Sequence, residues 1–263
     1  MEELQTCCSC HTEKECFCLR KGVIRCADCV CDQVGRSTMD LFRKSLKNIP
    51  CPVHVLVAVS GGSSSMFAYD ILKKRLTPNM KGKTTIVRKL EAVSSNPNLD
   101  IENLNIIPEF SIMAVIEYAK SHDFNCVVLA DNVDRVSLGN VSVIGCGRPD
   151  LAHWISGDDF KNYPPITLLR PVRTCLASEV RFYCSHLSIK TDDSPSPFQK
   201  AFSHESKMLQ GILDDGNGGI QFSVQKLGEK LPPFEQEGKC PNCGLPAPDN
   251  EICAFCATIK KFA

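Results

Sequence analysis

The 263-residue sequence has little of several features that would define a function class at once. No apolar run approaches the roughly 18 residues that a membrane-spanning helix needs. The 30 Lys and Arg balance the 30 Asp and Glu, and a neutral chain has no overall field that attracts nucleic acid or anionic lipid. Aromatic residues make up 7%, with a single Trp, so few side chains can stack on bases. We therefore expect neither a membrane nor DNA as a partner.

The opening residues, MEELQTCCSCHTEKE, lack the basic stretch and apolar stretch of a signal peptide. That absence predicts a cytoplasmic protein. In such a compartment cysteines serve as metal ligands or reactive thiols rather than as disulfides. Eight of the 17 cysteines stand in CxxC pairs, which favours metal binding over disulfide formation.

The CxxC pairs form two sets, one near each end of the sequence. Fifteen residues separate the pairs of the first set and nine separate those of the second. Each set offers four thiolates on two tight turns, as a tetrahedral structural Zn²⁺ requires. The predicted zinc ligands are Cys7, Cys10, Cys26 and Cys29, and Cys240, Cys243, Cys253 and Cys256. At the first site Cys8, His11, Cys16, Cys18 and Cys31 are rival ligands.

Between the two sets the pattern predicts strands that alternate with helices. The run 53–59, VHVLVAV, is apolar at nearly every position, as in a strand buried on both faces of a parallel sheet. Further strands are predicted at 84–90, 103–110, 126–130 and 166–169, and helices at 35–49, 66–76, 111–122, 134–144 and 175–187. Such alternation favours an α/β fold with an open, doubly wound parallel sheet.

The predicted organisation therefore has four parts. A zinc ribbon over 1–34 precedes an α/β domain over 35–190, and a second ribbon covers 237–263. Residues 191–236 contain the stretches TDDSPSP and DDGNGG. A composition rich in Ser, Pro, Asp and Gly predicts a flexible connector there.

The turn after the first buried strand, AVSGGSSSM, is the main candidate for ligand binding. Glycines let a backbone approach an anion closely, and the next helix offers free N–H groups and a partial positive charge. The predicted phosphate or nucleotide contacts are Ser60, Gly61, Gly62, Ser63 and Ser65. The turn is neither a Walker loop nor GxGxxG, and the alternative interpretation is a plain flexible turn.

A local basic run lies between 73 and 89, with seven Lys or Arg and no acid. Such a patch can engage RNA phosphates, although a solvated helix end gives the same pattern. The candidate RNA-binding residues are Lys73, Lys74, Arg75, Lys81, Lys83, Arg88 and Lys89.

The segment SGG-x-x-S after a buried strand resembles the PP-loop of the N-type ATP pyrophosphatases. Ribbons on both sides resemble the tRNA 2-thiolation branch of that superfamily. LADNVDR at 129–135 and RPVRTCLASEVRFY at 170–183 are similar to its acidic motif and to its Arg-Pro helix entry, and VIRCADCV at 23–30 is similar to half of its first ribbon. The triple serine of the loop is most similar to the cytoplasmic tRNA 2-thiolation protein 2 family.

That resemblance implies a PP-loop (HUP-like) domain in the non-catalytic subunit of a heterodimer. The partner thiolase would then transfer sulfur from a thiocarboxylated ubiquitin-like carrier to the wobble uridine of tRNA(Lys), tRNA(Glu) and tRNA(Gln). Ser64 stands where an active loop has Asp, and Cys51, Cys126, Cys146, Cys175 and Cys184 are isolated. We therefore expect zinc as cofactor, no catalytic residue, and ATP only as residual binding. The alternatives are an active ATP-dependent thiolase and a zinc-ribbon interaction module with a vestigial core.

Overall fold

A computed structural model describes residues 4–76, 86–214, 219–233 and 237–262. Two small antiparallel hairpins begin the described chain: β1 (Gln5–Thr6) pairs with β2 (Glu13–Lys14), and β3 (Cys16–Arg20) pairs with β4 (Val23–Cys26). They form an N-terminal ribbon that leads straight into helix α1 (Ala27–Leu46).

A five-stranded parallel sheet forms the centre of the α/β domain. Its strands are β5 (Val53–Ala58), β6 (Val87–Ser94), β7 (Asn105–Ile106), β8 (Cys126–Val128) and β9 (Thr167–Leu169), in the spatial order β7-β6-β5-β8-β9. The intervening helices are α2 (Ser63–Leu76), α3 (Ile112–Ser121), α4 (Val133–Gly145) and α5 (Ala152–Ser156), and α6 (Ala177–His186) follows β9. The predicted parallel α/β sheet is confirmed.

Alternate residues of β5 face two separate cores, which is the mark of a doubly wound sheet. Val55 and Val57 belong to the first core, together with residues of α1, α2 and α6. Leu56 and Ala58 belong to the second core, together with residues of α3, α4 and α5. Burial on both sides explains why this strand has no polar face.

The boundary expected between the first ribbon and the α/β domain does not separate two elements. Helix α1 begins at Ala27, eight residues before the predicted start, because Cys26 is its N-cap and the Cys26-x-x-Cys29 turn is its first turn. Val30 and Val34 then continue the buried face of the helix into the first core. The limit at 34/35 thus falls inside a continuous helix.

The predicted flexible connector over 191–236 is wrong for most of its described residues. Helices α7 (Pro197–Ala201), α8 (Ser203–Asp214) and α9 (Ile220–Lys230) lie there. Phe198 and Phe202 form a third apolar cluster with Leu138 of α4, which Phe255 joins. The segment is helical despite its polar composition, because its few apolar side chains pack against residues distant in sequence. Residues 215–218 and 234–236 of the predicted connector lie outside the described residues.

Helix α10 (Ala254–Lys260) ends the described chain, after the turns that carry the second cysteine set. Leu245, Ala247 and the four cysteines of that set are buried in the second core. The C-terminal ribbon is thereby part of the α/β packing. None of the helices in the described residues is long and apolar enough to cross a membrane.

Candidate phosphate loop and metal centres

The glycine loop, residues 60–65, lies where β5 ends and α2 begins. Strand order reverses beside β5, since β6 and β7 lie on one side of it and β8 and β9 on the other. Open α/β sheets bind ligands at such a switch point, outside the carboxyl ends of the strands. Gly61 has φ +94 and a side chain there would meet Leu99 at 3.0 Å, so the loop backbone requires glycine.

Serine hydroxyls fix the shape of the glycine loop from within. The Ser65 hydroxyl donates to the Gly62 carbonyl at 2.9 Å, and the Ser60 and Ser65 hydroxyl oxygens lie 3.3 Å apart. Across the switch point, the Asn132 amide donates to the Ser64 hydroxyl at 2.9 Å. The structure therefore brings all five predicted phosphate contacts into one tight turn.

A segment from outside the sheet also reaches the glycine loop. The Ser63 backbone N–H, at the start of α2, donates to the Asp193 carboxylate at 2.8 Å. The Asp192 backbone N–H donates to the Gly61 carbonyl at 2.9 Å. An internal carboxylate thus lies at the helix start, where an anion gains from the helix dipole.

The motif at 129–135 and the motif at 170–183 contact each other beside the loop. The buried Arg170 guanidinium donates to the Asp131 carboxylate at 3.0 Å, and the Ala177 N–H donates to the Asp134 carboxylate at 2.6 Å. Burial alone would raise the pKa of Asp131, but the Arg135 and Arg170 charges lower it below its usual range. These ionised side chains hold the β8 and β9 turns together.

The N-terminal cysteine group comprises Cys7, Cys10, Cys26 and Cys29, whose sulfurs all lie within 4.8 Å of one another. The backbone N–H groups of Ser9 and Cys26 each donate to the Cys7 sulfur at 3.4 Å. Hydrogen bonds from backbone amides, that of Cys10 first, lower the pKa of Cys7 to about 5. Such a thiol is ready to act as a thiolate ligand.

The rival ligands at the first site have other environments. Cys16 donates through its sulfur to the Gln5 carbonyl at 3.4 Å, and Cys18 donates to the Arg20 carbonyl at 3.3 Å. The Cys8 sulfur is exposed beside the Ser9 hydroxyl, and Cys31 packs against the first core. His11, at φ 57, forms part of the first cysteine turn and is not in the group.

The C-terminal cysteine group comprises Cys240, Cys243, Cys253 and Cys256, all buried, with the same 4.8 Å limit between sulfurs. The Cys253 N–H donates to the Cys240 sulfur at 3.4 Å, and the Cys256 N–H donates to the Cys253 sulfur at 3.5 Å. Gly244 follows the first pair at φ +71, and a side chain there would meet the Tyr163 ring at 2.5 Å. The turn is thus built around glycine and packed on the α/β domain.

Sulfur spacing indicates what kind of metal centre fits these groups. A tetrahedral ion with Zn–S bonds near 2.3 Å places its sulfurs about 3.8 Å apart. The Cys10 and Cys26 sulfurs lie 3.8 Å apart, and those of Cys243 and Cys253 lie 3.9 Å apart. The thiolates of an iron–sulfur cluster bind several irons and are spread more widely. Both groups could hold a metal, and their geometry fits one ion each.

The cysteines of the α/β domain lie apart from these groups. Cys126, Cys175 and Cys184 are buried. Burial raises the pKa of Cys175 to about 11 and that of Cys184 to about 12, and it raises the pKa of Cys126 as well. Such thiols stay protonated at neutral pH and are poor nucleophiles and ligands.

The basic run is only partly described, since Lys81 and Lys83 lie outside the described residues. The other cations lie at the end of α2 and on β6. Acidic side chains lie beside four of them, in the pairs Lys73–Glu102 at 3.6 Å, Lys74–Asp70 at 2.8 Å, Arg75–Asp32 at 3.6 Å and Lys89–Glu91 at 3.3 Å. Arg88 is exposed on β6. The nearby acids reduce the positive field of this run.

Two residues that contact the loop are not among the predicted phosphate contacts, although Asn132 lies within the motif at 129–135. Asn132 contacts the loop from the turn after β8, and Asp193 contacts it from a stretch that the composition assigns to a connector. For Asp193 the sequence signal is the acidic pair Asp192-Asp193, shortly after a predicted helix. Its partner Ser63 lies 130 positions away, a pairing that only the fold can specify.

No protein-family profile matches the sequence, and no curated protein matches it. Among solved structures, the chain is similar to the U34-tRNA thiolase NcsA from Methanococcus maripaludis with its [4Fe-4S] cluster. The TM-score is 0.66 at 17% identity, covering 100% of this chain and 97% of that chain. It also matches an NH3-dependent NAD synthetase from Campylobacter jejuni in complex with the nitrate ion, with a TM-score of 0.39 at 11% identity, over 78% of this chain and 99% of that chain. The first match confirms the predicted fold class.

Proposed function

We propose that this chain is the non-catalytic subunit of a cytoplasmic heterodimer that thiolates the wobble uridine of tRNA(Lys), tRNA(Glu) and tRNA(Gln). The catalytic partner would take sulfur from a thiocarboxylated ubiquitin-like carrier. The observation that carries the proposal is the fold similarity to a U34-tRNA thiolase over the whole described chain. We place the chain in the tRNA-thiolating branch of the PP-loop superfamily on the same ground, together with its loop and its two cysteine groups.

The state of the core thiols supports a non-catalytic role. Sulfur transfer needs a thiolate or a cluster that substrate can reach. Among the described residues, the two terminal cysteine groups are the sets of three or more side chains that could hold a metal. Their sulfurs converge on single ions, to which we assign zinc with a structural role, since four thiolates leave no open position. Cys126, Cys175 and Cys184 are buried, and burial raises the pKa of each thiol.

We assign tRNA contact to the basic run. The cations of α2 and β6 lie at the end of the sheet opposite the glycine loop, in the last turn of α2 and at the start of β6, and their acidic neighbours are exposed enough to exchange for phosphate. Replacing Lys73 and Arg75 by Ala should lower tRNA affinity equally for all sequences. A plot of the logarithm of the tRNA association constant against the logarithm of salt concentration has a negative slope. Each lost phosphate contact should reduce the magnitude of that slope by about one. The matched control replaces Lys200 and Lys207 on the α7–α8 side by Ala, with no change expected.

The proposal is tested in cells from which the chain has been deleted. Mass spectrometry of the three tRNAs should show loss of 2-thiouridine at the wobble position. The wild-type chain should restore it. Cys146→Ser should restore it too, because the half-buried Cys146 thiol at the C-cap of α4 carries no sulfur in the proposed reaction. Copurification should identify a second PP-loop chain. Unchanged 2-thiouridine in the deletion would refute the proposal.

Purified protein separates the two alternatives. The isolated chain should not thiolate tRNA, and thiolation should appear when the partner is added. ATP-to-pyrophosphate turnover by the isolated chain, lost in Ser65→Ala, would instead establish an active thiolase. Capture of partners without any tRNA-modifying protein, together with normal thiolation in the deletion, would establish an interaction module.

A further inference from the structure

The segment between α6 and α7 crosses the mouth of the glycine loop. We define residues 188–194 as the strap. Its first half is fixed by the Ile189 N–H, which donates to the Cys184 carbonyl at 2.8 Å, and by the Ile189 side chain against the first core. Its second half carries Asp192 and Asp193, both exposed, to the loop.

The strap contacts the loop through complementary groups. The Asp192 N–H donates to the Gly61 carbonyl at 2.9 Å, and the Asp193 carboxylate accepts from the Ser63 N–H at 2.8 Å. The Asp193 oxygen is also 3.7 Å, and the Asp192 carbonyl 3.5 Å, from the position of a side chain on Gly62. The Asp193 carboxylate thus lies at the start of α2, and the Asp192 backbone lies beside Gly61 and Gly62.

The chemistry of that position favours an anion with oxygen acceptors. The first N–H groups of a 14-residue helix have no partner within the helix. A carboxylate there resembles a phosphate in charge sign and in acceptor geometry. Two such anions cannot share the position, because they would repel each other at contact distance.

We propose that the strap is an autoinhibitory contact, in which the Asp193 carboxylate excludes phosphate groups from the glycine loop until the strap is released. Asp193 is the residue that excludes the anion, while Asp192 fixes the strap through its backbone. The inference depends on the loop contacts and holds whether or not the chain takes part in tRNA thiolation.

Release of residues 192–194 of the strap requires no loss of core packing. Its ends are held by α6 and by Phe198 of α7, which is buried in the third cluster. Between these anchors Asp192, Asp193 and Ser194 are exposed and belong to no helix or strand. The Ser194 hydroxyl and N–H both donate to the Asp192 carboxylate, so that side chain is bonded within the strap.

The test uses the full, metal-loaded chain and magnesium pyrophosphate as the probe. Asp193→Ala removes the carboxylate at the loop. Asp192→Ala is the matched control, since it removes the same charge one residue away from Asp193. The Asp192 side chain bonds Ser194. Titration calorimetry should give at least tenfold tighter pyrophosphate binding for Asp193→Ala than for the wild type, with Asp192→Ala like the wild type. Metal content measured before and after titration shows that the probe has not stripped the cysteine groups.

Amide hydrogen exchange gives a second readout at the contact itself. The Ser63 N–H should exchange slowly in the wild type and faster in Asp193→Ala, and pyrophosphate should restore its protection in the variant alone. Equal binding by the wild type and Asp193→Ala would overturn the proposal, as would absence of binding in both. An equal gain in Asp192→Ala would also overturn it, because charge in general would then be the cause. No tRNA or partner is present, so this result is independent of the thiolation assay.

Discussion

The Arg20 guanidinium and the Glu179 carboxylate form a two-point contact between the N-terminal ribbon and the first turn of α6. The second of these hydrogen bonds measures 2.8 Å, and Arg20 also donates to the Thr174 carbonyl at 3.1 Å. Glu179 is buried and accepts from the Leu176 N–H at 2.9 Å. The ribbon is therefore fixed to the α/β domain by a charge pair, with one partner out of contact with water.

Arg20→Ala should destabilise the protein by about 2 kcal/mol, because a buried carboxylate loses its charged partner. Arg20→Lys should recover only part of this, since an ammonium cannot make both hydrogen bonds of a guanidinium. Urea unfolding measures both. Arg43→Ala is the control, whose pair with Asp40 at 3.8 Å is exposed, and it should change stability by less than about 0.5 kcal/mol. Equal effects of Arg20→Ala and Arg43→Ala would contradict the role of the contact.

Gly228 lets α9 approach α4 and α5. A methyl group there would lie 2.0 Å from the Ser156 hydroxyl and 2.6 Å from the Asn140 amide. Both are buried, and they are bonded to each other at 2.9 Å. Gly228→Ala should therefore cost about 2 kcal/mol or more in the free energy of unfolding, through overpacking.

Gly211 on α8 provides the control for that substitution, because nothing lies within 4 Å of its added methyl. Gly211→Ala should stabilise the protein by about 0.5–1 kcal/mol, the difference in helix propensity. Thermal and urea unfolding of the two variants should move in opposite directions. Destabilisation by both would contradict the described packing of α9.

The two cysteine groups predict two metal ions for each chain. Elemental analysis should give one ion fewer in Cys10→Ser and in Cys253→Ser. Cys18→Ser should keep both, since its exposed thiol lies outside the first group. The fall in Tm should be larger for Cys253→Ser than for Cys10→Ser, because the C-terminal group is part of the second core. An unchanged metal count in either ligand variant would contradict the assignment.

Cys184 predicts a loss of stability at alkaline pH. Burial, and next the nearby Asp193 charge, raise its pKa from 9.0 to about 12, and its sulfur donates to the Ser63 carbonyl at 3.4 Å. Above pH 9 the unfolded thiol releases its proton while the folded one keeps it. The unfolded state then binds fewer protons, so the free energy of unfolding falls as pH rises from 9 toward 12.

The measurement for Cys184 compares slopes rather than absolute stabilities. Urea unfolding between pH 8 and 10.5 should show a shallower decline in Cys184→Ala than in the wild type, by up to about 1 kcal/mol per pH unit. Cys51→Ala, which removes an exposed thiol, should keep the wild-type slope. A wild-type slope in Cys184→Ala would contradict the shift.

Local patterns predict the parts of this fold whose determinants lie close together in sequence. Strand β5 needs only its own apolar run, and Ser111 caps α3 through its hydroxyl, which accepts from the Ala114 N–H. The predicted start of α1 lies eight residues too late because a cysteine at the N-cap gives no capping signal. The sequence does not predict the helices after residue 196, because Phe198 gains its partners, Phe202 and Phe255, only in the folded chain. The Asp193–Ser63 contact cannot be predicted from local patterns for the same reason, since its partners are 130 positions apart in sequence.

The second core has a consequence for how the protein is made. The second core, which includes Leu56 of β5, also contains Leu245, Ala247 and the four buried cysteines of the C-terminal group, and these residues leave the ribosome some 190 residues after Leu56. The helices of the first core, α1, α2 and α6, are all synthesised before the C-terminal group. Because domains fold as their segments emerge, the first core can be completed before the last residues of the second core have been made. A chain that ends before Cys240 therefore lacks the residues that complete the second core, although α3, α4 and α5 are already present.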